Sequence, residues 1–219
     1  MEKKVSLSGL FPEEIAKAIQ LSPLFRAKQI YEWISKGAES FEQMTNIDKT
    51  TRKFLEENVL LRSSKVTEVL KDPDGTIKLQ ISLSDGLAIE TVLLTDKEGR
   101  KTACVSCQAG CAMGCAFCQT GRLGLGRNLT AGEIVEEFFF MEKEAGTLDN
   151  IVFMGMGEPL QKRKRIKPQK NHVKHLRTYK RNLRTCGKRT FCAPCNFLNN
   201  SRPSSPRTAY ASFKRKSIT

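Results

Sequence analysis

The apolar positions change period along this chain, and each change marks a new kind of element. From residue 5 to residue 60 they recur at helical spacing. Leu10-Phe11-Pro12-Glu13-Glu14 carries the proline and acids of a first helical turn, and Ile15, Ala18 and Ile19 follow on one face. Ser22-Pro23 breaks that helix. Arg26 to Ile34 predicts a second helix, with Gly37 placed to end it. Phe41 and Met44 are expected in the core. Thr51 to Leu60 predicts a third helix.

Between residues 65 and 103 the period falls to two. Val66 to Leu70 is followed by the turn Asp72-Pro73-Asp74-Gly75, and Ile77, Leu79, Ile81 and Leu83 alternate as in a half-buried strand. Asp85-Gly86 is a hairpin turn. Leu87 to Leu94 is the next strand, and Lys97-Glu98-Gly99 turns into one that ends at Cys104. An antiparallel meander is expected. Helical spacing returns at Ile134, Val135, Phe138, Phe139 and Met141, behind the capping box Thr130-Ala-Gly-Glu133 and ahead of Gly146. Asn150 to Met154 predicts a short buried strand, parallel to the one before Cys104, which makes a βαβ unit. Gly155-Met156-Gly157-Glu158 follows at the C-terminal end of that strand, where α/β folds place ligands. The fold class is therefore α/β.

Composition adds two facts. The net charge is +14, but residues 161–219 hold 18 Lys and Arg and no Asp or Glu. That leaves 19 basic against 23 acidic residues in 1–160, a net of −4. The argument from basic charge to nucleic acid thus applies to the tail alone. No apolar run approaches the roughly twenty residues of a membrane span. Met1-Glu-Lys-Lys-Val lacks an apolar signal region, so a cytoplasmic protein is expected.

Candidate chemistry is concentrated in one place. Five of the eight cysteines lie between Cys104 and Cys118, and the last three, Cys111, Cys115 and Cys118, are spaced C-x3-C-x2-C. Three thiolates on one loop can hold three irons of a [4Fe–4S] cluster and leave the fourth iron open to a small chelator. The same spacings allow a four-thiolate zinc site from Cys104, Cys107, Cys115 and Cys118. Disulfides fit a cytosolic chain poorly. Cys104 and Cys107 are given no role.

The triplet resembles the signature of radical S-adenosylmethionine enzymes. Its flanks, Cys104-Val-Ser, Cys118-Gln-Thr-Gly-Arg122 and Gly126 to Ile134, together with Phe153-Met-Gly-Met-Gly-Glu-Pro-Leu160, are similar to the RlmN/Cfr family of RNA adenine methyltransferases. The resemblance covers residues 1 to about 160. It implies a helical accessory domain over 1–62 that helps engage RNA. It further implies a small antiparallel sheet over 63–100 and the first, incomplete part of a radical-SAM (β/α) barrel over 101–160. It implies a [4Fe–4S] cluster on Cys111, Cys115 and Cys118, and S-adenosylmethionine contacted by Gly157 and Glu158. The expected reaction is methylation of an adenine of 23S rRNA, and of tRNA, at C2 with C8 as the alternative. An electron donor such as a flavodoxin and a monomeric state are implied as well.

Glu90, in Ile89-Glu90-Thr91-Val92, is similar to the family's proton acceptor. Alternation alone makes it an ordinary exposed strand residue. The family also methylates a cysteine near the end of its barrel, and no stretch of residues 161–219 matches that motif. Cys186, Cys192 and Cys195 are therefore given no such role. Two readings stay open on sequence: an enzyme of this family, and a non-catalytic remnant that binds a cluster, zinc or RNA.

Residues 161–219 form a separate basic stretch, with both histidines and no clear period. Such composition is expected to be disordered alone. Three readings compete for it: an RNA-binding arm, a zinc knuckle through Cys186, Cys192, Cys195 and a histidine, or an out-of-register translation starting near residue 161.

Overall fold

The structure, a computed structural model, describes residues 4–160. The readings made for residues 161–219, including Cys186, Cys192, Cys195 and both histidines, lie outside the described residues. So do residues 1–3.

The chain opens with a two-residue strand β1 (Val5–Ser6), then α1 (Pro12–Ala18) and α2 (Leu24–Ser35). At the start of α1 the Glu14 carboxylate accepts the Phe11 backbone N–H at 2.8 Å. Gly37 follows α2 at φ 82°, the left-handed conformation that a chain leaving a helix uses. A short 3-10 turn over Phe41–Gln43 precedes α3 (Lys49–Asn58), which Asp48 caps by accepting the Thr51 N–H at 2.9 Å. Phe41 and Met44 are buried as their spacing predicted.

The third helix ends earlier than the pattern indicated. Val59–Leu60 is not its last turn but a strand, β2, parallel to β1, with Val5 opposite Val59. Val59 is β-branched and buried, and a strand lets it pack inward while Leu7 N donates to Leu60 O at 2.9 Å. The pairing is long-range, so the local period could not show it.

The sheet follows: β3 (Lys65–Lys71), β4 (Ile77–Ser82), β5 (Ala88–Thr95) and β6 (Lys101–Cys104). A hairpin arm comes next, made of β7 (Gln108–Gly110), the short helix α4 (Gln119–Arg122) and β8 (Leu125–Asn128). Then come α5 (Ala131–Ala145) and β9 (Asn150–Val152). The main sheet has the order β3-β4-β5-β6-β9, antiparallel through β6 and parallel between β6 and β9. The meander and the βαβ unit therefore form one continuous sheet. No described helix is long and apolar enough to cross a membrane.

Helix α5 covers one face of this sheet, against β4, β5 and β6. Ile134, Phe138 and Met141 meet Leu79, Ile81, Ile89 and Leu93 in a single buried core. Burial alternates along β5, with Ile89, Thr91 and Leu93 inward. The helical N-terminal segment closes on the same helix. A Cβ on Gly132 would stand 2.5 Å from Ser8 O, and one on Gly9 would run into the Gly132 backbone nitrogen.

Glu136 of α5 makes the firmest link to that segment. It is fully buried, and its two oxygens accept the backbone N–H groups of Ser63 and Ser64 at 2.8 Å each. The Ser63–Ser64 step leads from β2 into the sheet. Glu136→Ala leaves both amides buried without acceptors and should cost roughly 3 kcal/mol. Urea unfolding monitored by circular dichroism measures this, and a loss below about 1 kcal/mol would show that the clamp is not needed.

Candidate active site

The site grows from the C-terminal ends of the two parallel strands. After β6 the chain runs through Val105-Ser106-Cys107 into β7. After β9 it turns through Gly155-Met156-Gly157-Glu158. These segments are stitched together: Val105 N donates to Val152 O at 2.9 Å, Gly155 N to Val105 O at 3.1 Å, and Cys107 N to Met156 O at 2.9 Å. Gln108 completes the seam, accepting the Glu158 N–H at 3.1 Å and donating to Asn128 Oδ1 at 2.8 Å.

The two glycines have a packing role that the sequence did not reveal. A Cβ on Gly155 would lie 2.8 Å from Ser106 Oγ, and one on Gly157 would lie 2.5 Å from Gln108 Cβ. Gly157 also sits at φ 97°. The close approach these glycines allow is, in the first place, to the chain itself. Glu158 is half-buried, and its carboxylate accepts the Leu160 N–H at 2.9 Å.

The three spaced cysteines lie on the arm between β7 and β8. Cys111 is anchored by its N–H to Gly124 O at 2.8 Å, and Cys118 N donates to Cys115 O at 3.0 Å. Gly110 at φ 79° is what lets the arm close, since a Cβ there would fall on Gly124 O. Cys111 is buried at the arm's base, while Cys115 and Cys118 are partly exposed. All three are free thiols. Phe117 and Leu123 project beside them, 62% and 68% exposed.

Among the described residues no three His, Cys, Asp or Glu side chains converge on one metal-sized point. A [4Fe–4S] cluster does not ask for that, because each thiolate binds a different iron. Three soft thiols on one partly open loop fit such a cluster as a donor set. Cys104 and Cys107 have a different character. Burial pushes the Cys104 thiol up to about 11 and the Cys107 thiol up to about 12.

Glu90 stands on the face of β5 away from α5, with its neighbours Ile89 and Thr91 turned inward. Its carboxylate pairs with Lys78 at 2.7 Å on the adjacent strand, both side chains partly exposed.

Sequence reading missed the buried residues behind these groups. Glu137 is inaccessible to solvent, and its Oε2 accepts the Ser106 N–H at 2.8 Å and the Thr91 hydroxyl at 2.5 Å. Its Oε1 is buried without a partner. Burial, opposed only in part by the hydrogen bonds from Ser106 and Thr91, raises its pKa to about 8. A protonated Oε2 can still accept from Ser106 N while donating to Thr91, whose hydroxyl lies 3.3 Å from Cys104 O. The spacing carried a signal for this: Glu137 is three residues from Ile134 and four from Met141, both buried.

The Glu137 shift has a defined sign in stability. The folded state keeps a proton that the unfolded chain releases above the ordinary carboxyl value of 4.5. Stability is therefore full at low pH and falls as pH rises toward 8, by up to about 1.4 kcal/mol per pH unit for one proton. Glu137→Gln should flatten that slope in urea titrations between pH 5 and pH 8. An unchanged slope would mean that the carboxyl is already ionised in the fold.

Comparison with known proteins gives a consistent outcome. Residues 21–61 match the family model described as the ribosomal RNA large subunit methyltransferase N-terminal domain. A Treponema pallidum protein named probable dual-specificity RNA methyltransferase RlmN is 51% identical over 160 residues, 73% of this chain and 47% of that protein. The protein of the same name in Treponema denticola is 57% identical over 157 residues, 72% of this chain and 45% of that protein. A solved radical SAM methyltransferase from Sphaerobacter thermophilus superposes with a TM-score of 0.70 at 40% identity, over 78% of this chain and 52% of that one. The chain spans about half the length of the curated relatives it matches.

Proposed function

We propose that this chain, whose N-terminal part is related to the N-terminal part of RlmN-type RNA methyltransferases, carries the cluster-binding and S-adenosylmethionine-binding half of a radical S-adenosylmethionine enzyme. The substrate is an adenine of 23S rRNA, and of tRNA, methylated at C2. The observation that carries this reading is the seam between the cysteine arm and the Gly155–Glu158 turn. Both leave the C-terminal ends of adjacent parallel strands and are hydrogen-bonded to one another. Open α/β sheets bind ligands at that edge.

In this reading Cys111, Cys115 and Cys118 would hold a [4Fe–4S] cluster, which when bound would supply the electron for reductive cleavage of S-adenosylmethionine. A flavodoxin-type protein is the expected electron-donating partner. The backbone at Gly157 and the carboxylate of Glu158 receive the ligand's ammonium group. The exposed apolar residues Met113, Phe117 and Leu123 shield the loop from water once ligand and RNA are in place. Glu90 faces away from α5, on the side that a (β/α) barrel would enclose, and serves as proton acceptor from the adenine ring. Residues 1–62 form the RNA-engaging accessory unit, 63–100 the antiparallel sheet and 101–160 the start of the barrel. The chain acts as a monomer.

The test starts with the full chain purified without oxygen and reconstituted with iron and sulfide. About four irons per chain, and an optical spectrum that shifts on adding S-adenosylmethionine, are expected. Cys118→Ala should cut the iron content by more than half with little change in thermal stability. Zinc in place of iron, or iron that survives Cys118→Ala, would sink the assignment.

A second expectation concerns Glu90. Glu90→Gln in a chain that methylates RNA should lower the rate at least a hundredfold while leaving iron content and S-adenosylmethionine affinity unchanged. Full activity in that variant removes Glu90 from the reaction.

A further inference from the structure

Ser106 is buried to the last atom, and the Cys104-Val-Ser flank to which it belongs assigns no role to its hydroxyl. Its Oγ donates to the backbone carbonyl of Glu90 at 2.7 Å and accepts the Met156 N–H at 2.9 Å. Its own N–H is held by Glu137 at 2.8 Å, and the same Glu137 oxygen holds Thr91, the residue after Glu90. A Cβ on Gly155 would press on Ser106 Oγ at 2.8 Å, so glycine there is what brings the turn within reach. One side chain thus joins three segments that pairing between strands does not join: the middle of β5, the start of the cysteine arm and the turn after β9.

We propose that Ser106 is a positioning residue that fixes the Glu90 strand and the Gly155–Glu158 turn relative to each other, so that the proton acceptor and the S-adenosylmethionine-binding backbone keep one separation. This rests on the functional reading above. The physical argument is that both bonds are made by a single atom with no solvent to replace either. Removing the hydroxyl orphans the Met156 N–H in the middle of the ligand-binding turn and the Glu90 carbonyl at the base. The turn is then held by its backbone bonds to Val105 and Cys107 and by Gln108 at its far end, none of which reaches the Glu90 strand. The Cys111–Cys118 loop is anchored elsewhere, on Gly124, so its metal content does not depend on Ser106.

The test compares the wild-type chain with Ser106→Ala, both as full chains reconstituted without oxygen. S-adenosylmethionine is titrated through the cluster spectrum at a temperature where both are folded. Ser106→Ala should retain wild-type iron content. Its titration midpoint should rise about tenfold, and hydrogen exchange should accelerate in residues 153–160 but not in α1–α3. A midpoint within twofold of wild type overturns the proposal even if the melting temperature falls, because a purely structural role moves only stability.

Should Ser106→Ala fail to fold, the wild-type exchange pattern decides. The Met156 amide must exchange as slowly as amides in β5 and β6, and rapid exchange there overturns the lock. A wild-type chain that takes up no cluster or does not respond to S-adenosylmethionine sinks the functional reading instead, while the exchange measurement still tests Ser106.

Discussion

Helix α5 drives three carboxylates toward the interior, and each accepts at least one backbone N–H from a segment outside the helix body. Glu133 closes the helix's own N-terminus through Thr130 and holds Arg127 of the arm. Glu136 holds the step from the helical segment into the sheet. Glu137 holds Ser106 and Thr91. Burying a carboxyl is costly, and the cost is bearable only because every one is met by donors. Glu137 meets the remainder of that cost by keeping its proton.

This arrangement explains why the candidate site is placed where it is. Two parallel strands bring two loops to one edge, but strand pairing stops at Cys104 and Val152. Beyond that point the loops are held by side chains and by close backbone approach. Backbone bonds through Val105, Gly155 and Cys107 continue the seam, Ser106 and Gln108 add side-chain hydrogen bonds, and Gly155 and Gly157 supply the room. The rigid part of the site is thus the seam behind the ligand region. The cysteine arm projects from it on two short strands, with Phe117 and Leu123 open to solvent.

The zinc alternative weakens for a reason the spacing could not contain. Cys104 and Cys107 share a C-x2-C pair, but the first ends a central strand and the second is buried under the Met156 turn. The Cys107 thiol is buried and the Cys104 thiol half-buried. Among the described residues, Cys111, Cys115 and Cys118 lie along one loop outside the main sheet, so two groups of cysteines with different surroundings stand side by side in sequence.

Much of the secondary structure was legible because local period reports local burial. The capping box at Thr130, the alternation around Ile89 and the helices before residue 58 need only near neighbours to be correct. The cysteine triplet and the Gly-x-Gly turn were legible because their chemistry constrains spacing. What only the tertiary structure decided depends on residues far apart in sequence. Val59 and Leu60 became a strand because Val5 and Ser6 lay alongside. Gly155 and Gly157 proved to be contacts with Ser106 and Gln108, fifty residues away. Ser106 showed only as part of the Cys104-Val-Ser flank, with no sign of its bonds, and Glu137 had no motif at all. A buried polar group is specified by the partner that satisfies it, and that partner is chosen by the fold.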